Sequence, residues 1–200
     1  MKAFTELFTA LDETTKTNAK TAALVKYLQL ASSEDAAWAI WFLSGRKLRQ
    51  VVPSRRLAAW ASREAGISDW LFDESYSAVG DLAETIALLL PYSEASIEMS
   101  LSQLVIELEK LRKLEEEAQR QLVLEFWRQM NQQERFVFNK LITGGFRVGV
   151  SQQLVIRAIS KHSGVEAGTI AHRLMGNWDP TPEFYAQLMH PDEEAADISR

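Results

Sequence analysis

Leu141-Ile-Thr-Gly-Gly-Phe-Arg-Val-Gly-Val-Ser-Gln-Gln-Leu-Val-Ile-Arg-Ala-Ile-Ser-Lys-His-Ser-Gly164 decides how the rest of the chain is read. One helix stops at Gly144 and another starts at Ser151 and runs to His162. The five residues 146–150 between them are the only strand-like alternation in the sequence. That alternation is short, is broken by Gly149 and has no partner segment, so the chain is assigned to the all-α class. The same stretch is the first candidate for function. Glycines allow a sharp bend and a close approach of backbone to another surface. A serine-capped helix start offers free N–H groups to an anion. With Arg147 in the turn and Arg157 and Lys161 on the helix, the combination suits a phosphate contact. A tight interhelical turn whose glycines only permit positive φ is the alternative at this point.

Outward from this stretch the apolar period stays helical. Phe4, Leu7, Phe8 and Leu11 mark a first short helix. A second covers 17–31. Ser33 is read as the cap of a third that Gly45 stops, and Pro53 as the first turn of a fourth that Gly66 ends. Ser68 caps a fifth. Gly80-Asp81 sets a helix stop beside a helix start, which predicts a sharp corner before a helix over 82–90 that Pro91 closes. A second half begins near Ser100. Leu101, Leu104, Leu108 and Leu111 continue to Glu115 at the next heptad position, so they predict a packed helix and not a coiled coil. Helices are expected over 101–114 and 116–130, from Asn131 to Gly144, and over 167–175. After Gly176 a short helix over 183–189 is followed by a proline-rich, acidic tail with Pro180, Pro182, Pro191, Asp192, Glu193, Glu194 and Asp197.

With 46% apolar and 24% charged residues, the composition is that of a globular protein with a sizeable core. No apolar run reaches membrane-spanning length, and Glu6 interrupts the first apolar stretch, which excludes a signal peptide reading. Cysteine is absent, which excludes disulfides, thiolate metal sites and cysteine nucleophiles and fits the cytoplasm. The net charge of −5 hides a segregation. Residues 46–63 hold Arg46, Lys47, Arg49, Arg55, Arg56 and Arg63 and no acid. Residues 135–175 hold Arg135, Lys140, Arg147, Arg157, Lys161 and Arg173 against Glu166 alone. These segments carry +6 and +5, which leaves −16 for the remainder. Such segregation can set up a local positive field on an acidic protein. Two solvated basic helix faces would give the same count.

The two basic segments also resemble each other. Leu43-Ser44-Gly45 aligns with Ile142-Thr143-Gly144, Leu48-Arg49 with Phe146-Arg147 after a one-residue gap, Ser62-Arg63 with Ser160-Lys161, and Gly66-Ile67 with Gly164-Val165. The alignment predicts two pseudo-repeated halves, 1–95 and 100–175, each with one basic turn. No nucleophile–base pair or cofactor box emerges. His162, His172 and His190 do not make a metal site, the glutamate run 115–117 is a solvated helix start, and the six tryptophans fall mostly on apolar stripes that suit a core. Phe146 is read as an anchor of its turn and not as a wedge between bases.

The Leu141-to-Ser151 segment resembles the glycine-rich turn in the N-terminal DNA-binding domain of ATP-dependent DNA ligases. Phe42-Leu-Ser-Gly-Arg resembles that domain's first-half turn, and Val79-Gly-Asp-Leu-Ala-Glu84 its mid-domain corner. The likeness covers about residues 1–175 and is nearest to the bacterial two-part type. It implies an all-helical domain lying along the minor groove around a nick in duplex DNA. It also implies a monomer that is not bound to a membrane, working with a catalytic core of the same polypeptide in repair, replication or recombination. In such ligases a lysine of a Lys-x-Asp-Gly motif takes AMP from ATP, with Mg2+, before the nick is sealed. No lysine here is followed by x-Asp-Gly, so the chain is expected to be non-catalytic, without a cofactor of its own. Residues 176–200 are expected to be a linker toward that core, in the cytoplasm with the nucleoid. The residues implied for DNA are Gly45, Arg46, Lys47, Arg49, Gly144, Gly145, Arg147, Gly149, Ser151, Arg157 and Lys161. A helical protein-interaction scaffold with no DNA role is the alternative.

Overall fold

A computed structural model describes residues 1–146 and 148–191. Among them are twelve helices and no strand, so the chain is all-α. The helices are α1 (Lys2–Asp12), α2 (Thr17–Leu30), α3 (Ser33–Leu43), α4 (Ser54–Ala65), α5 (Asp69–Val79) and α6 (Leu82–Leu89). They continue with α7 (Leu101–Leu111), α8 (Glu116–Gln129), α9 (Gln132–Thr143), α10 (Gln152–Ser163), α11 (Ala167–Arg173) and α12 (Pro182–Met189). No described helix is long and apolar enough to cross a membrane.

Local chemistry sets most of the helix ends. Ser100 and Gln103 form a reciprocal capping box at the start of α7, which satisfies two otherwise orphaned N–H groups. Asn131 accepts from the Glu134 N–H at the start of α9 and Ser151 from the Leu154 N–H at the start of α10. At the predicted corner, Gly80 ends α5 in the left-handed region and Asp81 caps α6 through the Glu84 N–H. Two expected caps differ. The hydroxyl that caps α3 belongs to Ser32, not Ser33, and Ser68 stands at the start of α5 without a side-chain capping bond. The helix expected over 167–175 ends at Arg173.

The chain forms two compact units, Met1–Thr5 with Lys47–Arg147, and Glu6–Arg46 with Val148–Arg200. They interleave along the sequence. In the first unit α6 packs on α9, α4 and α5. Leu101, Leu104, Leu108 and Leu111 of α7 are all buried, as their spacing on one helix face requires. Two of the polar side chains within this core bond each other and the backbone. The Trp127 indole donates to Asn139 Oδ1 at 2.9 Å, and the Asn139 amide donates to the Ala83 carbonyl at 3.3 Å. In the second unit α10 packs on α2, α3 and α11, and α12 on α3, around Leu24, Ile40, Val155, Ile159, Ile170 and Leu188. The expected linker is therefore structured as far as α12. Residues 192–200, with the acids Asp192, Glu193, Glu194 and Asp197, lie outside the described residues.

Candidate nucleic-acid interface

Both basic turns are built the same way. Gly45 follows α3 at φ 85°, and Gly144 follows α9 at φ 68°. At the first turn the Gly45 N–H donates to the Phe42 carbonyl and the Arg46 N–H to the Trp41 carbonyl. At the second, the Gly144 N–H donates to Leu141 and the Gly145 N–H to Lys140. These are the paired bonds of a Schellman motif, which need a left-handed residue that glycine supplies without strain. The aligned Ser44-Gly45 and Thr143-Gly144 thus share a geometry. In these bonds the N–H groups of Gly45, Gly144 and Gly145 are spent on helix carbonyls. Gly144 has a further reason to lack a side chain, because a Cβ there would lie 3.0 Å from the Leu48 carbonyl oxygen. The missing side chain thus lets the turn lie close to the protein's own 48–50 loop. The Val51 N–H donates to the Ile142 carbonyl at 3.0 Å and holds that loop against the end of α9.

The cations sort into structural and free ones. Arg46 is turned back into its own unit, where it donates to the Gly176 carbonyl and lies 4.5 Å over the Trp178 ring. Arg135 is 4% exposed and donates to the Trp127 and Pro91 carbonyls; burial lowers its pKa. Lys140 pairs with Asp81. Arg173 donates to the carbonyls of Gln187, Leu188 and His190, at the end of α12. Arg56 pairs with Glu116 at 3.0 Å. Two of the six cations in the first basic segment and three of the six in the second therefore belong to the fold or to local pairs, which the sequence count did not separate.

Lys47 and Arg49 of the first unit remain exposed and make no ion pair among the described residues, as do Arg55 and Arg63. In the second unit Arg157 and Lys161 stand exposed one turn apart on α10, the spacing that puts two side chains on one helix face. Both line an open groove of about 550 Å3 between α10 and α11, with Ile156, Ala167, Gly168 and Ala171. Arg157 donates to Asn18 Oδ1 at 3.3 Å. Ser151 is exposed and spends its hydroxyl on the Leu154 N–H. Gly149 adopts φ 57°, and its carbonyl accepts from Lys20 Nζ at 2.8 Å. Lys20 was absent from the sequence-derived set. It lies 129 residues from Gly149 in sequence, and only the packing of α2 on α10 brings it there.

Arg147 lies outside the described residues. Phe146 is buried and stacks on Phe4 at 5.7 Å, with the rings 21° apart, which fits an anchor. Among the described residues no three His, Asp or Glu side chains form a group able to hold a metal ion. No curated protein matches the chain. The family model described as DNA ligase N terminus matches residues 1–160, a span that holds both Schellman turns and most of α10. The chain therefore belongs to the DNA ligase N-terminus family, the N-terminal domain of ATP-dependent DNA ligases.

Proposed function

We propose that this domain grips duplex DNA around a nick through the sugar–phosphate backbone, for the nucleotidyltransferase core of a ligase of the bacterial two-part type. Family membership supports DNA as the ligand. The observation that carries the reading is the set of exposed cations Lys47, Arg49, Arg157 and Lys161, which make no ion pair among the described residues and occur on both units. Side-chain charge is what these cations offer to phosphate, while Gly45, Gly144 and Gly145 have spent their N–H groups on helix carbonyls. Contacts of this kind position a protein on DNA without reading bases. Arg147 joins the set on its sequence position alone. Adenylation, with ATP and Mg2+, is a task of the core, and no step of it runs through the residues described here. The domain acts as a monomer alongside the nucleoid in nick sealing for replication, repair or recombination.

Titrating nicked and intact duplexes with the chain at several salt concentrations tests the proposal. Five neutralised phosphates give a slope of log K against log salt of about −4.5. Absent binding, or binding that does not respond to salt, overturns it.

A further inference from the structure

Helix α5 reads Asp-Trp-Leu-Phe-Asp-Glu-Ser-Tyr-Ser-Ala-Val and is unlike its neighbours. Of its eleven residues only Phe72 is buried. Trp70 is 67% exposed, and Leu71, Tyr76 and Val79 are also exposed. Large apolar side chains gathered on one surface element mark an interaction site more often than scattered ones do. The charge is as unusual as the exposure. Asp69, Asp73 and Glu74 are the helix's only ionisable carboxylates, and it holds no lysine or arginine to pair with them. Asp69 accepts from the Ser62 hydroxyl at 2.8 Å. Asp73 and Glu74 make no hydrogen bond or ion pair among the described residues. They lie three and four positions after Trp70, which places both carboxylates beside the indole on the outward face. Asp69 and Asp73 also line an open groove of about 250 Å3 between α4 and α5, with Arg55, Ser62 and Phe72.

We propose that α5 is a docking helix for a partner protein, and that it receives a basic apolar segment of that partner. The indole face attracts a guanidinium or ammonium group, Asp73 and Glu74 supply the counter-charge, and Leu71 meets the apolar residues. An arginine suits this site best, because its planar head both stacks on an aromatic ring and bonds a carboxylate in a fork. The acids repel a phosphate backbone, so the surface is separate from the DNA-gripping cations.

The test uses the whole chain and two labelled synthetic peptides of equal charge, one of arginine, leucine and alanine, the other of lysine and serine. The expected result is tighter binding of the arginine–leucine peptide. Trp70→Ala and Asp73→Asn should each weaken it about fivefold, as loss of an exposed cation–π or charge contact does. Glu98→Gln, which removes an exposed acid elsewhere, should leave the affinity unchanged. Circular dichroism checks that the variants keep their helicity, and affinity for duplex DNA should stay at the wild-type value in all three. Equal binding of the two peptides, wild-type affinity in Trp70→Ala, or an equal loss in Glu98→Gln overturns the proposal. Loss of DNA binding in Trp70→Ala overturns it by assigning the face to DNA. Self-association of the wild type that Trp70→Ala abolishes overturns it by assigning the face to a second copy of the chain.

Discussion

Gly144 and Gly164 both close a helix in the left-handed region, at φ 68° and 78°, yet their surroundings differ. An ideal Cβ at Gly164 meets nothing within 4 Å, whereas at Gly144 it meets the Leu48 carbonyl oxygen. Gly164→Ala should therefore cost only the left-handed strain, about 1 kcal/mol. Gly144→Ala must also move the loop that Val51 ties to Ile142, and should cost about 2–3 kcal/mol. Urea denaturation of the two variants measures both, and equal losses would mean that the approach to Leu48 carries no weight. Arg135 makes a comparable point about charge. Arg135→Ala would leave two carbonyls without their buried donor and open a void, so a loss of about 3 kcal/mol is expected in the same melts. That glycine must close these helices was legible, because left-handed closure follows from residue type. Which arginine is buried was not. Arg135 and Arg157 both sit on amphipathic helices, and only the carbonyls of Trp127 and Pro91, 8 and 44 residues away in sequence, separate them.

At the scale of elements, the corner between α5 and α6 shows how one residue can serve two helices. Asp81 caps α6 through the Glu84 N–H at 3.0 Å and also pairs with Lys140 of α9. The Lys140 side chain is only 13% exposed, so its ammonium depends on that partner more than a surface lysine would. Asp81→Asn keeps a side-chain oxygen for the cap and removes the charge. Asp81→Ala removes both, and should lie about 1 kcal/mol below Asp81→Asn in thermal or urea melts. If the two variants melt alike, the cap contributes nothing. Helix order was readable from the sequence because caps, stops and apolar spacing are all local signals. The capping hydroxyl of α3 was misplaced by one residue because Ser32 and Ser33 are chemically identical there, and only the extended backbone at Ser32 decides between them. Contacts that join distant elements, such as Lys20 to Gly149, leave no trace in either segment. They come into being only when α2 packs on α10.

Across the whole molecule, the charge that the sequence segregates into two stretches is redistributed by the fold. Arg46, Arg56, Arg135, Lys140 and Arg173 are drawn into internal contacts or ion pairs. Among the exposed cations that make no ion pair among the described residues are two pairs, Lys47 with Arg49 in the first unit and Arg157 with Lys161 in the second. The two units interleave along the sequence. The chain passes from one unit to the other next to each basic turn, between Arg46 and Lys47 and between Arg147 and Val148, so a turn marks a crossing and not the centre of a half. This division gives the DNA reading a sharp consequence. Lys47→Ala with Arg49→Ala, and separately Arg157→Ala with Lys161→Ala, should each make the salt slope shallower by about 1.8, since each lost phosphate contact removes about 0.9. Arg46→Ala should leave the slope unchanged, because its guanidinium is held by Gly176 and Trp178. All of these side chains but Arg46 are exposed, so thermal stability should stay near the wild-type value in both double variants. Joining the four substitutions should bring the slope to the sum of the separate changes if the two pairs bind phosphates independently. Should only one pair move the slope, the domain grips DNA through a single unit. Should Arg46→Ala move it as well, the contact with Trp178 opens when DNA binds.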